Sequence, residues 1–113
     1  MVIKKIRIVF SILLMVLGTA HTCFTLVFYP ALNLAALWFA GAGLAFLFLG
    51  LLNLSENTPF RRWFAWAKLG ANMLGMLYVI AVAWKLPEPQ AFIGVLFTAV
   101  LTVCAFLEIR PKS

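Results

Sequence analysis

The chain has 113 residues and carries nine Lys and Arg against three acids, a formal charge of +6. Hydrophobic residues make up 65% of it and charged residues 11%, against roughly 45–50% and about 25% in ordinary soluble domains. That leaves no room for a soluble domain beside the apolar segments. The basic excess does not read as a nucleic-acid surface either, because the basic residues sit at segment ends rather than in a stripe or groove.

A membrane helix needs about 20 mostly apolar residues, each adding about 1.5 Å across an apolar core about 30 Å thick. Four segments qualify, which predicts an all-α integral membrane protein: one domain over 1–113, a four-transmembrane-helix bundle. The first span runs from about Ile8 to Phe28 and is ended by Pro30, which cannot continue the hydrogen-bond ladder. Its basic start, its apolar run and the small residues Gly18 and Ala20 also fit a secretory signal. The apolar character continues through Phe28, so the segment reads as a retained span.

The second span covers about Leu32 to Leu54. A polar loop follows, in which Thr58 is the expected N-cap and Pro59 the first helical residue. The third span covers about Trp63 to Trp84 and stops at the two prolines of "KLPEPQ". The fourth is the shortest, about Ala91 to Leu107. Lys4, Lys5 and Arg7 precede the first span, Arg61, Arg62 and Lys68 flank the third, and Arg110 and Lys112 follow the fourth. These are eight of the nine Lys and Arg. Cytoplasmic loops are enriched in such residues, so both termini are expected to be cytoplasmic, in an inner or plasma membrane. On that orientation the Asn53-Leu54-Ser55 sequon faces the cytoplasm and reads as a chance match.

Lipid gives helices no hydrophobic reason to associate, so small and polar residues carry their contacts. Gly18, Thr22 and Thr25 share a stripe of the first span. Ala36, Ala40, Gly43 and Gly50 line up on the second, Gly75 lies on the small face of the third, and Gly94 on that of the fourth. Depth arithmetic places His21, Asn72, Tyr78 and Thr98 within about 7 Å of the bilayer centre, a candidate polar layer. His21 is the chain's one histidine, and an ionisable group at that depth is a functional candidate by default. A neutral imidazole satisfied by a Thr hydroxyl or a helix carbonyl is the structural counterpart. Lys68 snorkels to the cytoplasmic headgroups or forms an ion pair with Glu108.

The chemistry available is narrow. Glu56, Glu88 and Glu108 all lie at or beyond the span ends, so no carboxylate pair sits at depth for general acid–base work. The sequence contains no aspartate, so no Ser/His/Asp triad forms. Cys23 and Cys104 sit about 15 Å apart in depth, too far for the roughly 7 Å Cα separation of a disulfide. One histidine and two distant cysteines make no zinc site. The leading expectation is a non-enzymatic accessory protein or homo-oligomer without a cofactor, its partners the lipid bilayer and copies of itself or another membrane protein. The alternatives are a small transporter or channel built around the His21 layer, and a haem- or quinone-binding redox module with His21 as an axial ligand.

Overall fold

The computed structural model describes residues 2–57 and 62–109. The expected N-cap Thr58, Pro59, and the basic Arg61, Arg110 and Lys112 lie outside them. Four helices follow in order: α1 (Val2–Phe28), α2 (Leu34–Leu54), α3 (Arg62–Lys85) and α4 (Pro89–Ile109). All four are long and apolar enough to cross a membrane, and no strand occurs among the described residues.

Three boundaries differ from the sequence reading for local reasons. Helix α1 begins at Val2 rather than near Ile8. Counting only apolar residues stops at the basic run, yet Lys and Arg are good helix formers and the ladder continues through them. Helix α2 starts at Leu34 because Asn33 is its N-cap: the Asn33 carboxamide accepts the Ala36 N–H at 2.8 Å, satisfying one orphan donor of the first turn. Helix α4 starts earlier than expected, with Pro89 as its first residue. That position needs no N–H, and the proline φ is already helical. The Glu88 carbonyl receives the Ala91 and Phe92 N–H groups.

Helices α1 and α2 pack most closely, α3 packs on α4, and α1 also meets α4, whereas α2 and α3 barely touch. The small-residue stripes explain the tight α1–α2 pair. A methyl group on Gly18 would lie 2.5 Å from the Gly43 carbonyl oxygen and 2.6 Å from the Leu47 nitrogen. One on Gly43 would reach the Gly18 oxygen at 2.7 Å, and one on Gly50 the Ser11 oxygen at 2.7 Å. Thr22 Oγ1 donates to the Gly18 carbonyl at 2.9 Å, with the Ala40 carbonyl at 3.4 Å. Gly94 lets α4 approach Val79, whose Cγ1 would be 3.0 Å from an added methyl. Between these helices Leu14, Val79, Leu101, Ala36 and Ala105 are buried, while bulky residues such as Leu26, Leu74 and Trp84 point outward.

Candidate functional site

Polar residues collect at the end of the bundle where α1 starts and α2 finishes. Arg7 is completely buried there. Its Nε donates to Glu108 Oε1 on α4 at 2.7 Å, and its Nη1 donates to the Asn53 carbonyl at 2.5 Å and the Ser55 carbonyl at 3.4 Å. Its Nη2 lies 3.3 Å from Glu56 Oε1, a charge contact outside hydrogen-bond geometry. Lys68, also fully buried, donates from Nζ to the Ser55 carbonyl at 2.5 Å and sits 5.3 Å from the centre of the Phe64 ring. The last carbonyls of a helix have no intrahelical donor and carry its negative dipole end. Helix α2 has no basic residue in its last turn, so two cations from other helices serve that end instead.

Beside this latch Asn53 and Asn72 exchange amide hydrogen bonds at 2.7 and 2.8 Å, both side chains fully buried. Asn53 Nδ2 also donates to its own helix at the Leu49 carbonyl. At the solvent edge Glu56 pairs with Lys4 at 3.2 Å. The hydrogen bond from Lys4, helped by the charge of Arg7, holds the Glu56 carboxyl below its usual range. The expected Lys68–Glu108 pair is therefore corrected. Glu108 is taken by Arg7, a bidentate-capable guanidinium that reaches it from α1, and Lys68 goes to the carbonyl end of α2. Lys68 does not snorkel outward.

The other half of the bundle is open. Because α2 and α3 barely meet, a cavity of about 370 Å³ lies between them, within the range of small-molecule sites. Its wall carries the aromatic residues Tyr29, Trp38, Phe39, Phe46 and Tyr78, with His21 from α1 and Glu88 from the α3–α4 connection. Phe39 anchors this wall: the His21 ring stacks on it with centroids 3.8 Å apart and planes 18° from parallel, and Tyr29 lies at 5.4 Å. The cavity shares Trp38, Ala42, Phe46 and Tyr78 with an apolar groove that runs along the same seam past Gly41, Leu49 and Gly75. Chamber and groove form one cleft.

The four residues of the expected polar layer are distributed as follows. His21 and Tyr78 line the same chamber. Asn72 is engaged with Asn53, and Thr98 donates to the Gly94 carbonyl of its own helix at 2.8 Å. Thr25 likewise caps back to the His21 carbonyl at 3.5 Å. Gly75 lies against the Leu49 side chain across the α2–α3 seam. Arg7, Asn53 and Trp38 were not singled out from the sequence as site residues. For Arg7 a signal existed: α2 ends without a glycine or a basic residue, so its carbonyls must find donors elsewhere. Cys23 is exposed, Cys104 buried, and both are free thiols. Among the described residues no three His, Cys, Asp or Glu side chains are placed to hold a metal ion. Neither a family model, nor a curated protein, nor a solved structure matches this chain.

Proposed function

We propose that the chain crosses a cell membrane four times with both termini cytoplasmic, and works without catalysis as an accessory component that lodges a bilayer-dissolved guest between α2 and α3. The observation that carries this reading is the open seam. Two helices that are neighbours in sequence leave an apolar cleft where the other sequence neighbours, α1–α2 and α3–α4, close tightly. In a bilayer such a cleft faces the lipid and admits guests sideways. The buried polar cluster at the end of the bundle supports a non-catalytic role, because Arg7, Glu108, Asn53, Asn72 and Lys68 are spent on one another and on helix ends. The orientation follows from Lys4, Lys5, Arg7, Arg62 and Lys68 at one end and Lys85 at the other.

Native mass spectrometry from an uncharged detergent tests the guest. The expected result is a chain carrying a lipid-sized adduct that Ala42→Trp, which fills the cleft, removes. A chain without adducts overturns the guest reading. A second reading is favoured by Gly41, which lines the groove and has nothing within 4 Å of an added methyl. There the small surface receives a helix of a second copy, and the spectrum shows an adduct-free dimer. For orientation, a reporter active only outside the cytoplasm is expected to be silent at the Glu56 loop and active beside Pro30; the reverse pattern inverts the topology.

A further inference from the structure

The two ends of the cleft differ in chemistry, and the difference specifies a guest. The groove half is lined by Gly41, Ala45, Leu49, Ala71 and Leu74, with no charged side chain among the described residues. The chamber half brings together five aromatic rings, and its lining holds one charged side chain among the described residues, the carboxylate of Glu88. Gln90 Nε2 donates to Oε2 of that carboxylate. Among the described residues no Lys or Arg lines either half. Aromatic faces carry negative quadrupole density and attract cations within about 6 Å of a ring centre, and aromatic cages of this kind recognise quaternary ammonium groups. With His21 neutral, the Glu88 carboxylate gives the described lining a net negative charge, which disfavours an anionic head and favours a cationic one.

We infer that the α2–α3 cleft is a binding site for an ammonium-headed amphiphile, its cationic head in the Tyr29–Trp38–Tyr78 chamber beside Glu88 and its hydrocarbon tail along the groove toward Leu49. This rests on the reading of the cleft as a guest site and adds the chemistry of the head. Phe39, held by its stack on His21, gives the chamber a pre-formed wall, so little ordering accompanies binding. Trp38 and Tyr78 are largely exposed and are the residues a guest would cover.

Three fluorescent rods of one shape separate the two claims: diphenylhexatriene, its trimethylammonium derivative and its propionate derivative. Each is titrated into the full-length protein in an uncharged maltoside detergent, with binding read as energy transfer from the tryptophans. The expected result is saturable binding of all but the propionate, with the trimethylammonium rod bound at least tenfold tighter than the neutral one. Glu88→Gln is expected to remove most of that tenfold preference, and saturable binding of the neutral rod by the same variant reports that the cleft is intact. Equal affinities for the neutral and cationic rods, or a preference that survives in Glu88→Gln, overturn the ammonium assignment and leave the cleft reading standing. If no rod binds saturably, the cleft reading itself is overturned.

Discussion

Arg7 on α1 and Glu108 on α4 lie 101 positions apart in the chain and meet at 2.7 Å. The same guanidinium reaches the Asn53 carbonyl at the end of α2, so one side chain joins three helices. A guanidinium suits this task because its donors diverge in a rigid fork, while an ammonium is a single point of charge.

Removing that fork is expected to be costly. Arg7→Met leaves Glu108 without its partner and the Asn53 carbonyl without its donor from α1, while the Ser55 carbonyl keeps Lys68. Breaking a buried ion pair costs about 3–5 kcal/mol, and the solvent access that Glu108 retains puts the change at the lower end. The pair Arg7→Met/Glu108→Met is expected to be more stable than Arg7→Met alone, since no unpaired carboxylate remains. Thermal unfolding in mild detergent, run as a double-mutant cycle, measures both. Arg7→Lys is expected to recover less than half of the loss.

The Asn53–Asn72 pair makes a similar argument without charge. Either single change to Leu strands one buried carboxamide, at a cost of about 1–3 kcal/mol. The double Leu variant removes both polar groups and is expected to lose less than the worse single variant. If the double change is additive, the two amides do not act as a unit.

Two glycines on the same helix should respond in opposite directions. Gly43→Ala forces a methyl to 2.7 Å from the Gly18 oxygen, and the α1–α2 pair must separate to admit it. Gly41→Ala meets nothing within 4 Å, and replacing an interior helix glycine by alanine stabilises by roughly 0.8–1 kcal/mol. The expected outcome is a lower melting temperature for the first and an unchanged or higher one for the second.

These examples also show what could be read from the chain before its fold was known. The four helices were legible because apolar length is a local property, whereas the close backbone approach at Gly18, Gly43 and Gly50 belongs to the facing helix as much as to their spacing. The latch was not legible. Arg7 reads as one more basic residue before a span, and only the long-range pairing of α1 with α4 turns it inward. Asn53 reads as the edge of a span or a chance sequon until α3 brings Asn72 opposite it. The cleft is less legible still, since it arises where α2 and α3 stand apart, away from their contact at Asn53 and Asn72. No residue of α2 or α3 announces that separation, although Gly41 and Ala45 supply the room.

Glu56 provides a pH readout at the latch edge. Its carboxyl titrates below the usual value of 4.5, first because Lys4 donates to it and then because Arg7 lies near. A carboxyl depressed in the folded state contributes stability that is present above its ordinary value and is lost as pH falls through the depressed one. Glu56 is exposed, so the contribution is small and is better followed by carboxyl NMR than by melting. Lys4→Gln is expected to move the Glu56 titration up toward its usual range; an unmoved titration would show that the Lys4 contact does not persist in solution.

The His21–Phe39 stack separates a wall from a working imidazole. With centroids 3.8 Å apart and nearly parallel planes, the ring occupies the place a phenyl group would fill equally well. His21→Phe is therefore expected to leave the melting temperature and the binding of neutral diphenylhexatriene unchanged. His21→Ala opens the chamber wall and removes an aromatic pair contributing about 0.5–1.5 kcal/mol, so stability and binding of the neutral rod should fall together. The decisive comparison is His21→Phe across pH 5.5 to 8. A binding curve for the cationic rod that changes with pH in the parent chain and becomes flat in His21→Phe would show that imidazole protonation opposes the cationic head. Curves that coincide would leave His21 as a packing ring, with the charge of Glu88 alone setting the preference.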